Sequence, residues 1–335
     1  MMRLNPTMLW EATDPGAALL KRFRFASGAE AGAWLVTVLA DVYGIEVVTV
    51  DRLVISAYNL LAWLTTTNGL FLAKCCSDDS AHERLVNVAD LLGWLAQAQL
   101  PVSLPLLART GARQVRRDHL SIVVQRLISG ELLDPAQAVQ TQAAGVTLAR
   151  FHRALDAYPC GTEFGISSAV LPLAETIAVS ARRCKRQGGV PSLLIGIETL
   201  LRWVEQHQLP MLTPQLIHHD YRAANILWHA GKIAAVLDFD DVCWGYRVND
   251  LAWSAVHLGT RYHHWGTVSE EVHDTFLAAY TSQHPLTEVE QAWLPRLMLW
   301  HSINLAGSAV GGENFEAAVE SVVTYTCRLD SPDGI

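Results

Sequence analysis

The chain has 335 residues, of which 50% are hydrophobic and 17% are charged. This is the composition of a packed globular protein, and it excludes a disordered or fibrous one. The length allows a large core and predicts two lobes. The formal net charge of −8 argues against a nucleic-acid or anionic-membrane partner, since such partners attract basic surfaces.

The cysteines and the N-terminal residues bear on the compartment. The 6 cysteines form no Cys-x-x-Cys pair and no disulfide-like framework, so reduced thiols in a cytoplasmic protein are expected. The first residues lack the basic-then-apolar pattern of a signal peptide. An apolar run follows at residues 31–50, but Asp41, Gly44 and Glu46 interrupt it. A helix followed by a strand is therefore favoured over a membrane span, and the protein is expected to be soluble.

The first predicted elements are helices followed by strands. Residues 15–43 predict one or two helices, and Gly44 ends the second. Residues 45–55 are rich in β-formers, and residues 56–59 break that run. A hairpin over residues 60–75 follows, because the Asn-Gly pair at positions 68 and 69 is a strong turn signal.

Helices dominate the rest of the chain. Apolar periodicity predicts helices over residues 82–97, 136–158, 173–185, 192–208, 271–283, 286–297 and 314–327. Asp134 and Pro135 are expected to open the second of these, and Pro295 is expected to kink the sixth. Residues 120–128 predict a buried strand, since 6 of these 9 residues are Leu, Ile or Val.

The residues that carry chemistry lie in a single stretch, 216–253. Asp220 is followed by Asn225 five positions later. Two short predicted strands then form a hairpin over residues 226–237, and the second strand ends at Asp238. The hairpin would fold Asp238 back toward the loop that holds the other two side chains.

An acid, an amide and a second acid in this order are typical of a phosphoryl-transfer site. That reaction needs positioning and charge neutralisation more than covalent help from the protein. Mg²⁺ prefers oxygen ligands, so Asn225 and Asp238 are suited to hold it on nucleotide phosphates. Asp220 would accept the proton of a substrate hydroxyl.

The run HHDYRAANIL, followed by VLDFDD and RVNDLA, resembles the phosphotransferase enzyme family. That family includes aminoglycoside phosphotransferases, choline kinases and type II homoserine kinases. Its loop usually reads His-Gly-Asp, four residues and Asn, with an acid downstream, and His218, Asp220, Asn225 and Asp238 fall on those positions. His219 stands where the family usually has glycine, which makes the loop backbone less permissive.

The resemblance implies an α+β fold of the bilobal protein-kinase type. It predicts a small mixed β/α N-lobe over residues 1–128, with the nucleotide-binding sheet. The mainly helical C-lobe would cover residues 129–335, with the catalytic loop, the metal-binding hairpin and the acceptor pocket. The active site is expected in the cleft between the lobes. His218 and Asp220 are expected to be catalytic, and Asn225 and Asp238 to be metal ligands.

The resemblance also implies nucleotide contacts in the N-lobe. The expected contacts are Lys74, Ser56, Asn59 and the backbone groups of Arg126, Leu127 and Ile128. Lys74 would reach the α- and β-phosphates, with a solvated strand lysine as the alternative. The phosphate loop would lie at residues 56–59, although no G-x-G-x-x-G pattern is present. Residues 126–128 would bond the adenine edge, with a plain core strand as the alternative.

Three further residues have predicted roles outside the reaction itself. Glu83 and Asp90 are the acids nearest to the place of a partner for Lys74, and ordinary surface acids are the alternative. Asp250 is expected to cap or anchor the helix after the hairpin and to order the catalytic loop.

We therefore predict a small-molecule O-phosphotransferase that uses Mg²⁺ and ATP or GTP. The first candidate acceptor is a hydroxyl of an aminoglycoside or related amine-bearing antibiotic, which would place the protein in antibiotic resistance. Choline-like amino alcohols, homoserine or another metabolite are the other candidates. The negative net charge is compatible with a cationic acceptor. No nucleic-acid or membrane partner is expected, and both a monomer and a homodimer remain open.

A nucleotide-binding pseudokinase that regulates a partner is the alternative from another class. The unassigned partner of Lys74 and the histidine at position 219 favour it, whereas the intact set of Asp220, Asn225 and Asp238 favours catalysis. A protein kinase is disfavoured, because the chain has Asp-Phe-Asp in place of Asp-Phe-Gly and lacks a glycine-rich loop.

Overall fold

The computed structural model describes residues 4–159, 161–165, 173–206, 212–262, 266–308 and 314–330. The chain divides into two units, Met1–Ser129 and Gly130–Ile335. This division lies one residue after the predicted lobe boundary.

The first unit is built around one mixed sheet. Its strands are β1 (Thr7–Met8), β2 (Val47–Ser56), β3 (Asn59–Thr66), β4 (Gly69–Cys76), β5 (Gln114–Arg117) and β6 (Leu120–Arg126). Their spatial order is β1-β2-β3-β4-β6-β5. β1 pairs with β2 in parallel, and the other neighbours are antiparallel. The hairpin predicted from Asn68 and Gly69 is the β3–β4 pair.

Three α-helices belong to the first unit: α1 (Pro15–Phe23), α2 (Gly28–Val38) and α3 (His82–Gln97). The side chain of Asp14 caps α1 by accepting the N–H of Ala17 at 2.7 Å. A wider helical turn, Leu39–Tyr43, continues α2 up to Gly44, whose φ of 68° ends it. The region 15–43 therefore holds two helices, as one of the two predicted arrangements has it.

The core of the first unit lies between α1, α2 and one face of the sheet. Leu60, Ala62 and Leu64 of β3 are buried and alternate with partly exposed neighbours. This period of two is the pattern of a strand with one buried face. Phe23 and Leu35 of the helices pack in the same cluster.

The described residues of the second unit form two small sheets. Its strands are β7 (Glu131–Leu132), β8 (Gln215–Ile217), β9 (Ile226–His229), β10 (Lys232–Val236) and β11 (Cys243–Gly245). They form the sheets β10-β9-β7 and β11-β8. The β9–β10 pair is the hairpin predicted over residues 226–237. Its turn has positive φ at Ala230 (48°) and Gly231 (79°), as tight hairpins require.

Helices make up most of the second unit. They are α4 (Ala138–Asp156), α5 (Leu173–Gln187), α6 (Pro191–Gln206), α7 (Arg247–His257), α8 (Glu270–Gln283), α9 (Glu288–Ser308) and α10 (Phe315–Asp330). α4 begins later than predicted, because residues 134–137 form a turn in which the Gln137 N–H donates to the Asp134 carbonyl at 3.1 Å. The last two residues of the helix predicted over 192–208 lie outside the described residues.

The predicted end of the helix around Pro295 is wrong. α9 continues through this proline to Ser308 instead of ending at Leu297. The side chain of Arg296 donates to the Ala292 carbonyl at 2.6 Å, close to where the proline lacks an N–H. The residues after it, including Trp300 and Ile303, are buried, so packing keeps the helix going.

α4 and α8 pack closely at a glycine. A Cβ atom at Gly145 would lie 2.3 Å from the Phe276 carbonyl oxygen and 3.0 Å from the Ala279 Cβ. Only glycine permits this approach, and it brings His152 of α4 within reach of α8.

No single helix in the described ranges is long and apolar enough to span a membrane. α1 and the helix 28–43, bent by 43°, pass that test together.

Candidate active site

One buried carboxylate fixes the loop that carries Asp220. Asp250, in the first turn of α7, accepts the backbone N–H of His218 at 3.1 Å and that of His219 at 3.0 Å. Its Oδ2 also contacts Nε2 of His152 at 3.0 Å. Asp250 thus anchors the loop, which is one of its two predicted roles. The N-cap position of α7 is held by Tyr246, whose side chain makes no capping hydrogen bond.

The anchor is part of a buried network of polar side chains. The other ring nitrogen of His152 contacts the Tyr280 hydroxyl at 2.7 Å, which links α4, α7 and α8. Burial alone would raise the pKa of Asp250, but the hydrogen bond and charge of His152 hold it below its usual value. The carboxylate is therefore ionised and accepts from the loop in its charged form.

His218 is held by backbone groups on both sides of its ring. Nε2 donates to the Leu237 carbonyl at 3.1 Å, and Nδ1 accepts the N–H of Asp220 at 3.2 Å. Burial lowers the pKa of His218, which keeps the ring neutral and suits this arrangement. We predicted His218 as catalytic. Because both nitrogens are engaged, the geometry favours a positioning role that ties the loop to the end of β10.

His219 has a left-handed backbone, with φ at 68°. This conformation suits glycine, the residue that the family usually has here. Its N–H donates to Asp250 in this conformation, so the loop adopts a glycine-like backbone at a residue that has a side chain.

The carboxylate of Asp220 is held by donors at both oxygens. Arg222 donates from Nε to Oδ1 at 2.8 Å, and Asn225 donates from Nδ2 to Oδ2 at 2.6 Å. Burial raises the pKa of Asp220, the Arg222 charge opposes this rise, and the nearby Asp238 carboxylate adds to it. We did not predict a role for Arg222 from the sequence. Its signal was a cation two residues after the acid, which spacing alone cannot assign to that acid.

The two predicted metal ligands come together with Asp220. The N–H of Leu237 donates to the backbone carbonyl of Asn225 at 2.8 Å, which places the end of β10 beside the loop. Asp238 follows with φ at 60°. With Nδ2 of Asn225 bound to Asp220, its Oδ1 is oriented away as an acceptor.

These oxygen donors fit Mg²⁺. An amide oxygen and a carboxylate leave most positions for phosphate and water, as this ion prefers. Among the described residues, no cluster of three or more His, Cys, Asp or Glu could hold a metal ion by itself.

The predicted nucleotide contacts of the first unit lie on three strands. Ser56 and Asn59 face each other where β2 turns into β3, and Lys74 lies half-buried in β4, opposite Leu61 and Val123. Glu83 and Asp90 are both exposed on α3, which matches the alternative that they are ordinary surface acids.

The predicted adenine contact needs one correction. The N–H of Leu127 donates to the Leu70 carbonyl at 3.0 Å, so it is engaged within the sheet. Arg126 also contacts this hairpin, donating from Nη1 to the Asn68 carbonyl at 3.2 Å. Leu127 could therefore offer only its carbonyl to an adenine. The contacts predicted for Arg126 and Ile128 stay predictions.

A model of the phosphotransferase enzyme family matches residues 52–293. The chain belongs to this family. It is similar to the homoserine kinase of Phenylobacterium zucineum (strain HLK1), with 27% identity over 245 residues, 70% of this chain and 71% of the relative. The homoserine kinase of Methylobacillus glycogenes is 25% identical over 283 residues, 78% of this chain and 79% of that one.

Several solved structures of other proteins share the fold of this chain. The macrolide 2'-phosphotransferase MphH from Brachybacterium faecium superposes with a TM-score of 0.57 at 18% identity, covering 86% of this chain and 97% of that chain. The GDP complex of wild-type aminoglycoside 2'-phosphotransferase-IIIa gives 0.61 at 13% identity, covering 89% and 98%. The predicted α+β, bilobal kinase-like fold is confirmed.

Proposed function

We propose that this protein transfers the γ-phosphoryl group of ATP or GTP to a hydroxyl of a small molecule, with Mg²⁺ on the nucleotide phosphates. The observation that carries the proposal is the geometry of the loop. Asp220 and Asn225 share a hydrogen bond of 2.6 Å, and the Leu237 contact brings Asp238 beside them. These are the acid, amide and second acid that phosphoryl transfer requires.

Asp220 would orient the acceptor hydroxyl and take its proton as the new O–P bond forms. Arg222 and Asn225 fix the plane of its carboxylate, so the second lone pair of each oxygen keeps one direction. Asp250 holds the loop backbone in place, and the neutral His218 ring ties it to β10. When bound, Mg²⁺ would neutralise phosphate charge, held by Asn225 and Asp238. Lys74, Ser56 and Asn59 are proposed nucleotide contacts.

The proposed acceptor is a small molecule that carries an amine as well as a hydroxyl. The first candidate is an aminoglycoside or a related antibiotic. Choline-like alcohols and homoserine follow. The curated relatives are named homoserine kinases, and one solved neighbour is a microcompartment-associated aminopropanol kinase. Others are complexes of an amicoumacin kinase with AMP-PNP and of a spectinomycin phosphotransferase with ADP. These names support nucleotide use and a small acceptor.

Thermal melting with Mg-ATP and Mg-GTP tests the nucleotide site first. Binding at about 100 Kd stabilises a protein by about 2.7 kcal/mol, so a magnesium-dependent rise in Tm is expected. Asp238→Ala should remove the magnesium-dependent part of this rise. Asp241→Ala, which removes an exposed acid of the following turn, is the matched control and should keep it. No rise with either nucleotide would favour a degenerate site, and a pseudokinase would then have to act through a partner and not through a nucleotide.

Turnover with a panel of hydroxyl acceptors, followed by ADP or GDP release, tests the chemistry. The panel should hold aminoglycosides, choline, homoserine and aminopropanol. Asp220→Ala should abolish turnover and leave nucleotide binding largely intact. An Asp220→Ala protein that works at the unsubstituted rate would contradict the assignment of the base.

A further inference from the structure

The turn between β2 and β3 is held from outside by two side chains of the N-terminal region. The N–H of Ala57 donates to Oε1 of Glu11 at 3.1 Å. The carbonyl of Ala57 accepts from Nη1 of Arg22 at 2.7 Å. Both backbone polar groups of this turn residue, whose φ is 39°, are thus engaged.

Glu11 and Arg22 also bind each other. Arg22 donates from Nη1 to Oε1 at 3.0 Å and from Nη2 to Oε2. Their side chains are only 23% and 25% exposed, and the hydrogen bond to Glu11 raises the pKa of Arg22, so the pair is charged. A bidentate ion pair of this kind fixes the relative orientation of the two side chains as well as the distance between them.

Strand pairing brings Glu11 to this place. The N–H of Leu9 donates to the Ile55 carbonyl at 2.8 Å, which continues the parallel pairing of β1 with β2 to the edge of the turn. On the other side, the N–H of Ser77 donates to the Tyr58 carbonyl at 2.9 Å. Two successive residues of the turn are therefore fixed by segments that are distant in sequence.

The turn also contains a buried polar atom that lacks a donor. Among the described residues, nothing hydrogen-bonds to Oδ1 of Asn59, which is inaccessible to solvent. A buried acceptor of this kind is destabilising unless a donor pairs with it. Asn59 is one of the two residues that the family resemblance places at the nucleotide phosphates.

We propose that Glu11 and Arg22 are positioning residues that hold the turn 56–59 ready for the nucleotide phosphates. This inference rests on the proposed function. The chain has no glycine-rich loop to wrap around the phosphates. A turn held in one conformation loses little conformational entropy on binding, so a fixed turn can serve in its place.

Glu11 and Arg22 together form a clamp on the turn 56–59. Because their charges are opposite, removing one or the other is predicted to change nucleotide affinity in opposite directions. The ion pair adds no net charge beside the phosphates. Arg22→Gln leaves the Glu11 carboxylate uncompensated there, and the same change removes the charged donor to the Ala57 carbonyl. Glu11→Gln leaves a cation instead, and the glutamine carbonyl still accepts the Ala57 N–H. An ion pair with only a structural role responds in the same direction to the loss of either charge.

Calorimetric titration with Mg-ATP measures these effects. Arg22→Gln is expected to weaken nucleotide affinity about tenfold, the usual effect of losing a charged hydrogen bond. Glu11→Gln is expected to bind as tightly as the unsubstituted protein or more tightly. Turnover should show the Arg22→Gln loss in the KM for nucleotide and not in kcat. Arg116→Gln is the control, since its 2.6 Å pair with Asp79 lies in the same unit and does not involve the turn.

The charge-swapped variant, Glu11→Arg with Arg22→Glu, separates the ion pair from the clamp. It can restore the pair, but it presents a donor to the Ala57 N–H and an acceptor to its carbonyl. Nucleotide affinity should therefore stay low, whatever happens to the Tm. Affinity restored by the swap, or equal weakening by the two single changes, would overturn the inference. Equal affinity in all variants overturns it alone, whereas a folded unsubstituted protein that binds no nucleotide overturns the proposed function with it.

Discussion

At the scale of single residues, His219 combines a glycine backbone with a bulky side chain. Its φ is 68°, and its N–H donates to Oδ1 of Asp250 at 3.0 Å. Histidine tolerates the left-handed region of φ and ψ better than most residues, whereas β-branched residues tolerate it poorly. The position therefore carries strain that a glycine would not have.

Replacing His219 tests this strain. The left-handed conformation costs a residue with a Cβ about 1–2 kcal/mol, and glycine loses about 0.5–1 kcal/mol through its greater freedom when unfolded. His219→Gly should thus raise the free energy of unfolding by up to about 1.5 kcal/mol, and His219→Val should lower it. Urea denaturation measures both. A glycine variant that keeps its stability but loses turnover would show that the imidazole serves the reaction.

The site residues differ in how far their positions depend on nearby sequence alone. Asp220, Asn225 and Asp238 could be predicted because a loop and a hairpin only a few residues long bring them together. The pairing of Arg222 with Asp220 depends on a side-chain direction that the sequence does not specify. The engagement of the Leu127 N–H depends on strand register, which apolar composition leaves open.

At the scale of elements, the contact between α4 and α8 decides where the loop anchor lies. Gly145 lets the two helices approach, and His152 and Tyr280 then meet across them at 2.7 Å. His152 is also the residue of α4 that contacts Asp250. A change in helix spacing would therefore move a partner of the loop anchor.

Gly145→Ala tests this spacing. Alanine favours a helix by about 1 kcal/mol over glycine, but here its methyl group would meet a backbone oxygen that cannot rotate away, and such overpacking costs about 1–3 kcal/mol. We expect a lower free energy of unfolding and lower turnover. Gly93→Ala in α3 is the control, because its nearest neighbour is the flexible Arg113 side chain at 3.3 Å. It should be neutral or stabilising. Equal effects of the two changes would contradict the close-packing argument.

Element positions could be predicted better than element ends. Apolar periodicity predicted α3, and the Asn-Gly turn signal predicted the β3–β4 hairpin, since each pattern is local. The end of α9 could not be predicted. A proline argues locally for a break, while burial of the following turns against other helices keeps the helix intact.

At the scale of the whole molecule, several histidine rings are buried in the interior in their neutral form. Burial lowers the pKa of His257 and of His273 to about 4 each, and it lowers the pKa of His301 and His218 in the same direction. In the unfolded chain these rings take up protons near pH 6.5. The unfolded state thus binds more protons than the folded state between pH 6.5 and about 4.

Stability should therefore fall as the pH is lowered through that window. A shift of this size in one fully buried ring corresponds to about 3 kcal/mol, present above pH 6.5 and lost by pH 4. Urea unfolding at pH 7, 6 and 5 measures the slope. His273→Gln should flatten the curve, and His229→Gln, which removes an exposed ring, should not. A curve with no slope would mean that protons reach these rings in the folded state.

The clamp of Glu11 on Ala57 also has a consequence for the order in which the sheet assembles. It joins residues 46 positions apart, whereas β2, β3 and β4 are joined by short turns. Closing the longer loop has a greater entropic cost, and β1 contributes only a two-residue strand in return. We therefore expect β1 to be the last strand to dock during folding and the first to detach in local openings. A nucleotide bound at the turn 56–59 would then slow the detachment of a strand that it does not touch.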